Sequence, residues 1–461
     1  MKPAGEQSHS VAVIGADMTG ISAALELARH PGVEVTLFEE RDHIGGLSDA
    51  FSWEEVTWDR FYHVVLSTDS VLIDFLRELG LASELSFAET RSGFFGEGRL
   101  ASLSSTGDFV RFPFLTLWQK FRLATGILYS AALKDPSRLD RIFVRQWLTS
   151  VFGRRVYERI WDPLLRSKLG SAREETSAAF IWATIRRLYG ARNGEQKKEQ
   201  MGHVRGGYKR ILERAEELLR ERGVEIRTDR RVDSVRTANS HVELTFAEGD
   251  PSGSAEDFDK ALLTIPSPEL MHLLKPTRDE PYFEQYRNVS YLGVVCLLLV
   301  VRRSLSPYYV INLLDKELPF TGVIEATNVV DPGELEGNHL VYLPKYAASD
   351  DLIFGLSDHE ICTSFIGGLK QMFPDLEESD IRHRRVFREL YVQPLQEIGA
   401  LARRKDHRTS RKGVYVANSA MMKNTTLNNN AAITLGRSAA WTILEDIDVS
   451  LPDEAEAVSY V

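Results

Sequence analysis

Val11-Ala12-Val13-Ile14 is a wholly apolar run, and Val33-Glu34-Val35-Thr36-Leu37-Phe38 is a second. Between them, Ile21-Ser22-Ala23-Ala24-Leu25-Glu26-Leu27-Ala28 follows a helical pattern. Strand, turn, helix and strand in this order predict a βαβ unit with a parallel pair. Further strands are predicted at Val224–Arg227, Arg231–Val235 and Lys260–Ile265, the last closed by Pro266-Ser267-Pro268, and at Gly413–Ala417. His241–Phe246 alternates as a half-buried strand does, and the polar segment 248–256 reads as a turn. Helical spacing marks Ser70–Gly80, Ile211–Glu221 (opened by Gly206-Gly207-Tyr208 and stopped by Gly223), Asp358–Met372 and Leu435–Leu444.

From Leu115 to Arg192 the pattern is mostly helical, with helices expected near Ile142–Phe152, Val156–Arg166 and Ala178–Leu188. Leu117, Phe121, Leu123, Ile127 and Leu128 suit one apolar face of the first helix of this block, which reads as a cap. Trp118, Lys120 and Arg122 lie beside that face, so contact with a membrane surface is a second reading. Phe94–Leu100 reads as a hairpin. Residues 289–345 hold several strands of an antiparallel sheet, Val294–Val301 being the clearest. The tail after Asp446 is acidic and expected to fray, and internal repeats are lacking.

With 461 residues the chain has material for two or three domains. Its 56 Lys plus Arg against 66 Asp plus Glu give a net charge of −10, which supplies no global attraction for nucleic acid or an anionic bilayer. The basic run Arg403–Lys412 reads as a solvated loop. Cys296 and Cys362, the only cysteines, have no metal or redox spacing, and Cys296 lies in an apolar strand pattern. Residues 1–10 lack the apolar stretch of a secretory signal, and the apolar run Leu292–Val301 is too short to span a bilayer as a helix. A cytoplasmic protein is expected.

The chemistry lies in the first turn, Gly15-Ala16-Asp17-Met18-Thr19-Gly20. Gly15 permits a tight turn out of the strand, and Gly20 permits close packing of helix on strand. The helix start then presents backbone N–H groups and the positive end of its dipole to a pyrophosphate. Glu39, at the end of the second strand, lies where an acceptor holds ribose hydroxyls, and Gly45-Gly46 follows. Asp17 occupies the position of the middle fingerprint glycine. A carboxylate about 4 Å from a phosphate costs about 1 kcal/mol in water and about 4 kcal/mol at a typical effective protein dielectric. Weakened cofactor binding is therefore expected.

These segments resemble the flavin-dependent amine oxidase, phytoene desaturase and protoporphyrinogen oxidase superfamily. The match rests on Val11–Gly20, Phe38–Leu47, Gly206-Gly207-Tyr208 with Arg231-Val232, and Gly413–Val416 leading to Gly436–Ala440. Asp59–His63, Trp161–Leu165 and Tyr342–Tyr346 are similar to bacterial protoporphyrinogen-oxidase-like proteins. The resemblance implies an α/β fold: a discontinuous, Rossmann-like FAD-binding domain (1–70, 200–270 and 400–450). An inserted α+β substrate domain (271–399), a helical cap with part of the substrate domain (71–199) and a tail (451–461) complete the chain. It implies FAD held without a covalent link, with Gly15, Ala16, Asp17, Met18, Thr19 and Gly20 around the pyrophosphate. Glu39 would lie at the adenosine ribose, Glu40 would be a further cofactor-binding residue, and Arg41 and Gly45-Gly46-Leu47 would lie along the cofactor toward the flavin. Val232 would meet the adenine through its backbone. Ala417-Asn418 stands where the family often has Gly-Asp, leaving Asn418 toward the ribityl-phosphate portion, and Asn429 or Asn430 would lie near the flavin.

The resemblance makes the flavin the site of the hard step, a hydride equivalent leaving a C–N or C–C bond of a small-molecule substrate. His63 and Lys345 are candidate catalytic residues, against the readings of a packed histidine and a surface lysine. No metal motif is present. Two alternatives stay open: a non-redox flavin enzyme of the sugar-nucleotide mutase type, and a flavin-free binding protein whose pocket decayed with Asp17. Substrate, electron acceptor and oligomeric state are left open.

Overall fold

The computed structural model describes residues 8–192, 200–238, 241–247, 255–315, 317–400, 406–422 and 427–447. The acidic tail beyond 447, most of the 248–256 turn, the start of the 403–412 basic run and residues 424–426 lie outside these.

A five-stranded parallel sheet organises one half of the molecule, in the order β10 (Glu225–Arg227), β2 (Val33–Phe38), β1 (His9–Ile14), β14 (Lys260–Leu263), β20 (Val414–Val416). Its strands come from chain segments more than two hundred residues apart, so the predicted crossover is the seed of a discontinuous domain. Alternate residues of β1 face opposite layers: Val11 and Val13 join the core beneath the helices, Ala12 and Ile14 the core on the other face. The helical layer holds α1 (Met18–Leu27), α2 (Ser70–Glu78), a helix at Gly207–Glu221 and a helix at Asn429–Glu445. The other layer is the antiparallel meander of β11 (Val232–Ala238), β12 (His241–Phe246) and β13 (Ala255–Phe258), with a helix at Ser267–Leu274.

The helical layer is tied by a buried ion cluster. Arg437, 3% exposed, reaches Glu78 Oε2 at 2.5 Å and lies 3.9 Å from Glu26 Oε2. The other oxygen of Glu78 takes Arg29 at 2.6 Å and Arg222 at 2.8 Å. Burial raises the Glu78 carboxyl, but these guanidiniums outweigh it and hold the group below its ordinary range. Its contribution to stability is therefore present above the ordinary glutamate range and lost as pH falls through the lowered value. Arg437→Met leaves two carboxylates under-compensated in the interior. It is expected to cost about 3–5 kcal/mol in urea unfolding, with the deficit shrinking in acid as Glu78 protonates.

The second half is built on a seven-stranded sheet. Its order is β19 (Ile381–Pro394), β15 (Tyr291–Val301), β18 (His339–Ala348), β17 (Gly322–Glu325), β16 (Val310–Leu313), β7 (Ser92–Gly96), β8 (Arg99–Ser102). β15 is buried along its whole length between β18 and β19, which explains its unbroken apolar run. β7 and β8 form the expected hairpin. The helix Asp358–Met372 packs on this sheet with the bounds read from sequence, capped by Ser357 and Glu360. Small sheets of β3 (Ala50–Trp53) with β4 (Val56–Asp59), and of β5 (Val65–Leu66), β9 (Gln200–Val204) and β6 (Leu85–Glu89), join the halves.

The helical block contains α3 (Thr106–Arg111), α4 (Leu117–Ala132), α5 (Val144–Phe152) and a helix at Ala178–Arg192. The helix expected near Val156–Arg166 is interrupted by a π-helical turn at Tyr157–Trp161 before continuing as Asp162–Leu169. The apolar face expected for α4 is not buried as a unit: Leu123 is in the core, whereas Leu117, Phe121 and Leu128 face out. Among the described residues, no helix is long and apolar enough to cross a membrane.

Candidate functional site

The carboxyl ends of β1, β2 and β14 converge on one groove, as expected for a parallel sheet. Gly15 leaves β1 with φ +102°. A Cβ there would lie 2.6 Å from Thr264 Oγ1, whose hydroxyl donates to the carbonyls of Ile14 and Gly15. A Cβ on Gly20 would lie 1.9 Å from the Gly15 carbonyl oxygen. Both glycines thus have the separate duties expected of them. The second glycine turn docks on the first: Gly45 N–H donates to the Ala16 carbonyl at 2.8 Å, and a Cβ on Gly46 would lie 2.9 Å from Asp17 Cβ.

Asp17 is the N-cap of α1. Its carboxylate accepts from Thr19 N–H at 3.1 Å and Gly20 N–H at 3.0 Å, occupying donors that a pyrophosphate at this turn would use. Burial pushes its pKa up to about 6, and the charge of Glu39 adds to this, against the lowering effect of the N–H donors. Glu39 itself accepts from Ala16 N–H at 2.9 Å and Arg41 N–H at 3.1 Å. A carboxylate has about four acceptor positions, so further acceptor capacity remains.

The groove encloses about 790 Å³, toward the upper end of the size range of small-molecule sites. The parallel-sheet side supplies Gly15, Ala16, Asp17, Glu39, Glu40, Arg41, Gly46, Leu47 and Val232. The opposite wall comes from β19, residues Arg388 to Val392. Glu389 there takes Arg60 at 2.8 Å and Arg41 at 3.1 Å, and Arg60 also reaches Asp49 at 3.0 Å, joining the two halves across the groove. Burial and the nearby charges of Glu40 and Glu39 push Glu269 up to about 7. The groove is thus rich in carboxylates beside its glycine turns.

The remaining expected site residues are held as follows. Met18 is buried in the core beneath α1, and Thr19 and Gly20 are buried at the start of α1. A Cβ on Gly45 would meet Leu212 at 2.6 Å, so this glycine serves packing behind the turn. Asn418 is fully buried; its amide donates to Ser267 Oγ at 3.3 Å and its oxygen accepts from Ala420 N–H at 3.1 Å. Asn429 bonds Ser48 Oγ at 3.1 Å and also the Tyr208 hydroxyl, while Asn430 accepts from Leu72 N–H.

His63 does not line the groove. It faces a separate chamber of about 20 Å³, enough for roughly one water, shared with Asp59, His203, Tyr309 and Tyr342. Its ring lies 4.6 Å from that of Tyr208, and its buried Nδ1 lacks a hydrogen bond, with Asp59 Oδ2 at 3.7 Å. Lys345 sits on β18 opposite Val295, and burial lowers its pKa. Neither residue is brought to the glycine turns.

Sequence reasoning missed Glu389, Arg60, Glu269 and Thr264. Thr264 was accessible to it, because Pro266-Ser267-Pro268 marks the end of a central parallel strand and such ends form the crevice. The Glu389 pairing left no local signal, since its partners lie more than three hundred residues away in the chain.

Two sets of relatives bear on this groove. The family model for flavin-containing amine oxidoreductases matches residues 18–444. Coproporphyrinogen III oxidase of Staphylococcus aureus is 21% identical over 63% of this chain and 67% of its own length. Hydroxysqualene dehydroxylase of Sinorhizobium fredii is 26% identical over 61% of this chain and 67% of its own. Among solved structures, an Exiguobacterium sp. 255-15 protein provisionally named a protoporphyrinogen oxidase superposes with a TM-score of 0.76 at 18% identity. It covers 96% of this chain and 100% of that one, which establishes the fold.

Proposed function

This chain belongs to the flavin-containing amine oxidoreductase family, and from that premise we propose an FAD-dependent oxidoreductase that takes a hydride equivalent from a C–N or C–C bond of a small molecule, with FAD held non-covalently. The observation that carries this reading is the pair of interlocked glycine turns at the strand ends, where an added Cβ on Gly15, Gly20 or Gly46 would meet neighbouring atoms at 2.9 Å or less. That cradle, with Glu39 beside it and Val232 in the wall, supports a site for the adenosine and pyrophosphate portions of a dinucleotide, and Asp17 is the residue that argues against it.

The bound flavin would supply the two-electron acceptor. Gly15 and Ala16 would let the phosphates approach backbone, and Glu39 would accept from ribose hydroxyls. The Arg41–Glu389–Arg60 bridge would fix the β19 wall against the glycine turns, so that substrate is held in one orientation and water is restricted. A second reading, a chain that holds flavin weakly or not at all, is favoured by one feature, the Asp17 carboxylate on the α1 N–H groups.

The test is the visible spectrum of the purified protein, before and after added FAD, followed by denaturation and identification of any flavin released. A stoichiometric flavin spectrum with FAD in the supernatant supports the proposal. A chain that emerges colourless from desalting after incubation with saturating FAD supports the second reading. Anaerobic mixing with candidate amines and polyunsaturated precursors then separates net oxidation, which bleaches the flavin, from mutase-type chemistry, which does not.

A further inference from the structure

Helix α4 is inside out. Its buried residues include Gln119, Lys120, Gly126 and Ser130 beside Leu123, whereas Leu117, Trp118, Phe121, Leu128 and Tyr129 face solvent. Leu117 is 77% exposed and Trp118 68%. An ordinary surface helix places these residue types the other way round. The inverted packing is well made. A Cβ on Gly126 would meet the Phe152 ring at 2.5 Å, Lys120 Nζ donates to the Val110 carbonyl at 2.6 Å, and Trp182 Nε1 donates to the Ser130 carbonyl at 3.0 Å. The outward apolar row is therefore held in place by a satisfied inner face. Leu117, Phe121 and Leu128 share one side of the helix, and Val110 at the end of α3 adds a further exposed apolar side chain. The rings of Trp118 and Phe121 stack at 5.6 Å.

Charge selects what covers this row. In a chain of net charge −10, residues 109–134 contain four basic residues and no acidic one. Arg111 precedes the row and Lys134 follows it, both exposed. The carboxylates that flank this stretch in the sequence are engaged locally, Asp108 in the cap of α3 and Asp135 with Ser137. A second copy docked row to row would set basic end against basic end in either direction, a like-charge pairing that an isologous interface must bear twice. An anionic bilayer surface satisfies both features, taking Leu and Phe side chains into the acyl boundary, aromatic rings at headgroup level and cations among the phosphates.

We propose that the outward face of α4, with Val110, Arg111 and Lys134, docks the protein on anionic lipid, lying in the interface without crossing it. The purified full chain would be co-sedimented with vesicles of equimolar phosphatidylglycerol and phosphatidylcholine, and with phosphatidylcholine alone. Binding to the anionic vesicles that weakens with salt is expected. Phe121→Glu/Leu128→Glu is expected to reduce partitioning by about tenfold or more. Arg111→Glu/Lys134→Glu is expected to remove the preference for phosphatidylglycerol. All four positions are solvent-facing or nearly so, and an unchanged thermal melt shows that the variants fold; Trp118→Ala provides a milder second variant without added charge. Equal partitioning of wild type and the apolar variant overturns the proposal, as does absence of wild-type binding. A wild-type dimer in size-exclusion chromatography that Phe121→Glu/Leu128→Glu dissolves also overturns it, assigning the face to a second copy.

Discussion

Asp17→Gly is expected to tighten FAD binding by roughly fivefold to a thousandfold. That range corresponds to about 1–4 kcal/mol of carboxylate–phosphate repulsion at about 4 Å. The substitution also frees Thr19 and Gly20 N–H, now occupied by the aspartate side chain. The cost in stability is small, because glycine replaces an aspartate N-cap at a loss of about a few tenths of a kcal/mol. Asp17→Asn, which keeps the acceptor and removes the charge, should fall between. The sign with pH follows from the raised pKa of Asp17. Asp17 rises from 3.8 to about 6 on folding, so its contribution to stability is present below 3.8 and lost as pH rises through about 6. A bound pyrophosphate raises the group further, so FAD binding takes up a proton. Wild-type affinity should then increase as pH falls from 8 to 5, by no more than about tenfold per unit for one proton. Glu269, pushed up to about 7, titrates in the same groove, so the glycine variant is the reference that isolates Asp17. Fluorescence titration of the apoprotein with FAD across this pH range reads both effects. Equal affinity and equal pH dependence in the two proteins would remove Asp17 as the determinant.

What the chain discloses and what it withholds divide along a physical line. The βαβ seed, Glu39 and Gly45-Gly46 are local features, written within forty residues and enforced by short-range sterics. The strand Lys260–Leu263 was also legible, because a strand buried on both faces reads as an apolar run wherever it pairs. β19 was not. Its sequence Arg382-His383-Arg384-Arg385 looks like a solvated segment, yet it pairs with β15 over its length and its charged Arg388 and Glu389 line the groove. A strand at a sheet edge beside a polar groove need not alternate apolar with polar. The orientation of α4 was withheld for a related reason, since periodicity locates an apolar face but not which way it points. Charge alone marks Asp17 as an intruder; that it also caps its own helix depends on side-chain geometry that spacing does not carry. Position in the chain points Asn418 and His63 toward the cofactor, but not to the partners that hold them, the Ser267 hydroxyl for Asn418 and a small separate chamber for His63.

Gly20→Ala is expected to be the most damaging glycine-to-alanine change among the described residues. Its Cβ would stand 1.9 Å from the Gly15 carbonyl oxygen, 3.0 Å from the Gly15 carbonyl carbon and 3.2 Å from Thr264 Oγ1. The first two are backbone atoms of the turn itself, so no side-chain rotation relieves the overlap. α1 must move off β1 by about 1 Å or more, and the helix carries the core residues Ile21, Ala24 and Leu25 with it. Overpacking of this kind costs about 1–3 kcal/mol in an ordinary core, and more where backbone must separate. At least about 3 kcal/mol in urea unfolding is expected here. The same shift displaces the N–H groups at the start of α1 relative to Glu39, and about 1 Å of misplacement is enough to forfeit roughly a hundredfold in a positioned site. FAD affinity should therefore fall even in whatever fraction stays folded, which a titration on the soluble protein would detect. Gly367→Ala supplies the contrast. That residue lies in the helix Asp358–Met372 with nothing within 4 Å of the added carbon, so the change should be neutral or stabilise by about 0.5–1 kcal/mol. If both variants unfold at the wild-type urea midpoint, the close approach of α1 to the first turn is not what holds the cofactor cradle in shape.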